Sequence, residues 1–111
     1  MLAEGVRIYY VAGPITGMPN LNRDAFAAEV ASLREAGYGA LNPHDIPNPT
    51  GMHDMSGEEI WGYFMRRCLC LIAEATHMRF LPGWQNSRGA CLEHKIALTL
   101  GIPCEYVREP E

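Results

Sequence analysis

An α/β domain with a small parallel sheet is predicted from three observations. Apolar β-branched or aromatic runs alternate with helical patterns along the chain, in the order strand, helix, strand, helix, strand, helix, strand. Gly-Pro or Pro-Gly pairs sit at the carboxyl ends of the first and third strand candidates. The 111 residues suffice for one hydrophobic core and not for two, so residues 1–111 read as a single domain. Right-handed crossovers then give three layers and about four strands in the order 2-1-3-4, a flavodoxin- or Rossmann-like arrangement.

The first strand is Val6 to Ala12 (V-R-I-Y-Y-V-A), closed by Gly13-Pro14. A Gly/Pro/Asn loop leads to Asn22, the expected N-cap of a helix from Arg23 to Ala36. The buried stripe of that helix is Phe26, Val30 and Leu33. Gly37 ends it, and Tyr38 to Leu41 forms a short second strand before Asn42-Pro43. The segment Pro43 to Met55 reads as a long polar loop, of the kind that often binds or covers a ligand. Ser56 with Glu59 is a capping box for a helix to about Ala75, with Ile60, Phe64, Cys68 and Leu71/Ile72 on its inner face. Thr76 to Leu81 is the third strand, where Arg79 is out of place if helices cover both faces. Asn86 or Ser87 caps the last helix, Gly101 stops it, and Ile102 to Val107 is the fourth strand.

Composition narrows the function classes. Apolar content of 48% with mixed charge is ordinary for a globular domain, and a net charge of −4 offers no basic footprint for nucleic acid. No run reaches the length of a membrane span, and M-L-A-E-G-V-R lacks a signal-peptide core, so a cytoplasmic protein without membrane partner is expected. Cys68, Cys70, Cys91 and Cys104 lack a zinc-finger spacing and read as reduced thiols. His44, Asp45, His53 and Asp54 read as solvated loop residues rather than metal ligands, and no cofactor is expected.

Loops Gly13–Asn22 and Pro82–Ser87 leave adjacent strands where the strand order reverses, so a ligand crevice is expected between them. The helix after Ser87 opens there with unpaired N–H groups and the positive end of its dipole, a setting suited to an anion. Glu93 lies two turns into this helix, among Ala90, Cys91, Leu92, Ile96, Ala97, Leu98 and Leu100. A carboxylate in such apolar company needs a reason. The turn G-P-I-T-G is neither a dinucleotide fingerprint nor a P-loop; it serves either as a plain turn or as a close approach of backbone to a ligand. Trp84 is either a cap over the core edge or a wall for a flat base.

The pairing of Y-V-A-G-P-I-T-G with P-G-W-Q-N-S-R-G-A-C-L-E-H-K-I-A-L-T-L-G resembles the nucleoside 2-deoxyribosyltransferase-like superfamily, and more narrowly a family of small proteins common in phages and prophages. The most specific part is P-G-W-x-x-S-R-G-A-x-x-E. The resemblance implies an enzyme that cleaves a nucleoside or nucleoside 5′-monophosphate at the base–sugar bond, by hydrolysis or by transfer to another base. It implies Glu93 as nucleophile, Tyr10 orienting it, and Ser87 at a 5′-phosphate. The loop Gly13, Pro14, Ile15, Thr16 and Gly17 would line the sugar site, with Trp84, Arg88 and Gly89 completing the crevice.

One position departs from the pattern. The family's acidic residue on the middle helix, in an Asp-Leu pair that contacts the leaving base, is Cys68-Leu69 here. A thiol of pKa about 8.5 is a poor substitute for a carboxylic acid as donor. Two alternatives therefore stand beside the enzyme: a nucleotide sensor without turnover, and an interaction protein that keeps the fold. The last helix is apolar on more of its circumference than a four-stranded sheet can cover, so a homodimer or larger homo-oligomer is expected.

Overall fold

The computed structural model of the protein describes residues 6–109. Four strands form one parallel sheet in the order β2-β1-β3-β4. In chain order the elements are β1 (Ile8–Ala12), α1 (Arg23–Glu35), β2 (Gly39–Leu41), α2 (Gly57–Glu74), β3 (His77–Phe80), α3 (Arg88–Leu100) and β4 (Cys104–Tyr106). The strand order and the three-layer α/β class are those expected from the alternation of elements. Among the described residues no helix is long and apolar enough to cross a membrane.

β1 is central and fully paired, with Tyr10 opposite Leu41 on one side and Met78 on the other. Its side chains alternate between faces, which splits the core in two. Tyr9 and Val11 join Phe26, Val30 and Leu33 of α1, with Ala40 and Leu81. Tyr10 and Ala12 join Cys68 and Ile72 of α2, Met78 and Phe80 of β3, and Ala97 of α3. One helix therefore covers one face and two cover the other.

That asymmetry explains Arg79. α1 packs mainly over β1 and β2 and reaches Arg79 of β3 through Glu29, so this face of β3 and β4 is left half-covered. Arg79 fills this half-open face, its side chain 22% exposed, and ion-pairs with Glu29 of α1 at 2.8 Å and Glu105 of β4 at 2.5 Å. The expectation that helices cover β3 on both faces is corrected accordingly.

Caps follow the sequence with one exception. Ser56 and Glu59 form the reciprocal capping box, and Gly101 closes α3 at φ +74°. Asn22, however, does not cap α1. It adopts a left-handed conformation (φ 60°), and its amide donates to Pro14 O at 2.9 Å. Asn20 and Leu21 are left-handed too, a rare run for residues with a Cβ that folds the Gly13–Asn22 loop back upon itself. The Pro43–Met55 loop holds two short 3₁₀ turns, Pro43–Asp45 and Met52–Asp54. On the expected inner face of α2, Cys68 and Ile72 are buried as anticipated and Ile60 and Leu71 partly so, but Phe64 is only half-buried, packing edge-on against Tyr63, and Met65 is buried in its stead.

Candidate active site

Parallel topology brings the carboxyl ends of β1 and β3 together, and the loops leaving them meet as expected. A Cβ on Gly13 would sit 2.8 Å from Leu81 Cβ, so only glycine permits this approach of the two loops. Gly83, at φ +83°, lies against the Pro14 ring. After this shared edge the loops diverge. Ile15 turns to the α1 side and packs on the core there, and Thr16 and Gly17 are exposed.

α3 starts at the end of the second loop. Ser87, and not Asn86, is its cap: the hydroxyl accepts from Ala90 N at 3.2 Å. From there Ala90, Glu93 and Ala97 form the buried stripe at i, i+3 and i+7. A carboxylate so placed points at the sheet, and Glu93 is 5% exposed. The Tyr10 hydroxyl donates to Glu93 Oε2 at 2.6 Å, spanning from the central strand to the helix. Cys68 of α2 is buried beside the same carboxylate. Three residues from three elements thus meet at one point.

Among the described residues no cation pairs with this group. Burial pushes the Glu93 carboxyl up to about 7, and the hydrogen bonds from Tyr10 and Cys68 offset only part of that rise. Burial, followed by the adjacent carboxylate, also raises Tyr10 well above an ordinary tyrosine and pushes the Cys68 thiol up to about 12. Both neighbours therefore stay protonated near neutrality, and Tyr10 donates to Glu93. Such a carboxyl can attack an electrophilic carbon when ionised or give up a proton when protonated.

The remaining expected residues are placed differently. Trp84 packs among Phe80, His94 and Tyr106, with His94 Nε2 2.6 Å from the Tyr106 hydroxyl. A cavity of about 260 Å³ beside Trp84 is lined also by Pro82, Gly83 and Tyr106, and none of Tyr10, Cys68 and Glu93 borders it. Arg88 turns toward α2, where its guanidinium lies 3.7 Å over the Trp61 ring and pairs with Glu58 at 2.8 Å. Gly89 brings the first turn of α3 close to Met65, whose sulfur would be 3.2 Å from a Cβ there. Trp61, Met65 and Cys68, at i, i+4 and i+7, thus form the side of α2 that faces α3. Their spacing was the available signal for Trp61 and Met65, which sequence reasoning passed over. His53 and Asp54 lie 3.4 Å apart on the surface, and among the described residues no three metal-ligating side chains converge.

No curated protein matches the sequence. A family profile described as "Domain of unknown function (DUF4406)" matches residues 7–106, from the residue before β1 to the last residue of β4. The matched region takes in Tyr10, Cys68 and Glu93 together with the whole sheet. The chain belongs to the DUF4406 family.

Proposed function

We propose that the protein cleaves the base–sugar bond of a nucleoside or nucleoside 5′-monophosphate, by hydrolysis or by transfer to a second base, in the manner of the nucleoside 2-deoxyribosyltransferase-like enzymes. The observation that carries this reading is the buried Glu93 carboxylate of α3 with the Tyr10 hydroxyl of the central strand 2.6 Å from its Oε2. In this reading ionised Glu93 attacks C1′ as the bond to the base nitrogen breaks. The bonding pair leaves with the base, which takes up a proton, and an ester forms between Glu93 and the sugar. Water or a second base then attacks C1′ from the opposite side, frees Glu93 and retains configuration overall. The Tyr10 bond fixes the carboxylate, and the raised affinity of Glu93 for a proton makes its ionised form a strong nucleophile.

Cys68 supports a second reading. A thiol raised to about 12 is a poor proton donor to a departing base, and a site with that weakness suits a nucleotide sensor that binds without turnover. The two readings separate in one experiment. Wild type, Glu93→Ala and Cys68→Asp are incubated with a panel of nucleosides and monophosphates, free base is followed by chromatography, and binding is measured alongside. The enzyme reading expects base from wild type and none from Glu93→Ala. Binding with no base from wild type or from folded Cys68→Asp selects the sensor; neither binding nor release defeats both.

The same reading takes the protein to be cytoplasmic and self-associated, supported by four free cysteines and by the exposed Leu92, Leu98 and Leu100 on α3. A monomer by light scattering at micromolar concentration would contradict the second part.

A further inference from the structure

Arg88 is the cation expected to meet a 5′-phosphate, and the structure shows it already engaged. Its Nη1 and Nη2 donate to Glu58 Oε1 and Oε2 at 2.8 and 3.3 Å, the two-point geometry that a phosphate would also use. Its flat face rests on Trp61, 3.7 Å from the ring centroid. Arg88 holds the Glu58 carboxyl below its ordinary range, by the hydrogen bond first and its charge second, so Glu58 remains ionised near neutrality. Glu59 is beside it, accepting from Ser56 N and likewise held ionised. On the first turn of α2 the Glu58 carboxylate thus meets the guanidinium on the first turn of α3, with Glu59 next to it in the chain. Ser87 also spends its oxygen on capping, accepting from Ala90 N at 3.2 Å.

We infer that Glu58 is a specificity-determining residue, which neutralises Arg88 and sets the site for an uncharged nucleoside in preference to its 5′-monophosphate. The inference rests on the glycosidic reading and narrows it. Arg88 is five residues before Glu93, about 7.5 Å along the helix axis, and in the glycosidic reading a sugar with C1′ at Glu93 has its 5′ end toward the start of α3. A 5′-hydroxyl there needs only an acceptor or a single donor, which the hydroxyl of Ser87 and the free N–H groups of Arg88 provide. A phosphate dianion there must displace Glu58 from Arg88 and remain beside it. Like charges at that separation discriminate against the ligand without any steric block.

The test uses matched pairs, each 2′-deoxynucleoside against its own 5′-monophosphate, with binding by calorimetry and base release by chromatography. Wild type, Glu58→Gln and the double variant Glu58→Gln/Arg88→Gln are compared. Side chains at Glu58 and Arg88 are 76% and 60% exposed, so glutamine at Glu58 leaves the core intact and at Arg88 removes only the surface stack on Trp61. Wild type should favour the nucleoside. Glu58→Gln should shift the ratio toward the monophosphate by about three- to tenfold, a size set by the solvent exposure of the pair. The double variant should lose that shift, since the released cation is gone. Wild type favouring the monophosphate, or an unchanged ratio in Glu58→Gln, overturns the inference while the glycosidic reading stands. If no pair is bound or cleaved by any of the three proteins, the glycosidic reading falls and this inference with it.

Discussion

Tyr9 and Tyr10 are neighbours in β1, and each donates its phenol proton to a glutamate on an opposite side of the sheet. On the α1 side, Tyr9 donates to Glu105 Oε2 at 2.8 Å, and Arg79 and Arg7 stand around the same carboxylate. On the α2/α3 side, Tyr10 donates to Glu93 Oε2 at 2.6 Å, with only the Cys68 thiol for company. Burial raises both carboxyls. At Glu105 the Tyr9 hydrogen bond and the Arg79 charge outweigh it and leave the group below its ordinary range, whereas at Glu93 nothing does, and it reaches about 7. A balanced network stabilises a half-covered sheet face. An unbalanced carboxylate costs stability, and a chain that keeps one has chemistry or binding to gain from it.

The sharpest way to break the comparison is to remove each glutamate in turn. Glu93→Gln should abolish base release, by about 10³-fold or more, yet leave a protein at least as stable as wild type at pH 8. Glu105→Gln should do the reverse, keeping base release while lowering the midpoint of a denaturant titration. If Glu93→Gln unfolds the protein at pH 8, the carboxylate is structural. Next in size, Cys68→Asp restores an acid beside the leaving base. Under the enzyme reading it should raise base release about 10²–10⁴-fold, with a lower melting temperature from the added buried carboxyl.

Arg79→Met strips the cation from the balanced side and leaves Glu29, Glu105 and Tyr9 without it. With that guanidinium 22% exposed, the expected cost is about 2 kcal/mol by chemical denaturation, and base release should not change. A loss of base release in folded Arg79→Met would mean that the two faces are coupled.

These two faces were unequally legible in the sequence. Element order followed from alternating patterns, and the Ser56, Ser87 and Gly101 boundaries followed from local backbone needs that side chains within three residues satisfy. The meeting of Tyr10 and Glu93 spans 83 residues, and it was anticipated through an apolar helix carrying one carboxylate and through family resemblance. The Tyr9–Arg79–Glu105 network was not anticipated, because it depends on α1 lying mainly over β1 and β2 and leaving this side of β3 half-covered, a tertiary fact that no local pattern encodes. Asn22 misled for a related reason: its amide reaches Pro14 O across the loop, a partner that outcompetes the helix end. Phe64 misled because a half-buried aromatic and a buried methionine are adjacent in α2, and periodicity alone does not settle the phase between neighbours.

The smaller effects are pH slopes of opposite sign. Glu93 binds its proton more tightly folded than unfolded, so its contribution to stability falls as pH rises from about 4.5 to about 7. The loss is of the order of 3 kcal/mol. Glu105 binds its proton less tightly when folded, so what it contributes is present above the ordinary glutamate range and lost on acidification. Thermal melts of Glu93→Gln should lack the first slope and keep the second; melts of Glu105→Gln should do the opposite. Least of all, Tyr10→Phe should cost about 1 kcal/mol and push the Glu93 titration higher still, whereas Tyr9→Phe should leave Glu105 ionised at neutrality beside Arg79.

Glu93 is a buried carboxylate with no compensating cation among the described residues, poised to change protonation near neutral pH. Carbon-13 NMR of the glutamate carboxyl carbons, with Glu93→Gln to assign the resonance, reads that directly. The account predicts a Glu93 midpoint at about 7, with Glu58, Glu59 and Glu105 below the ordinary glutamate range. A Glu93 midpoint in the ordinary range, near 4.5, would contradict it.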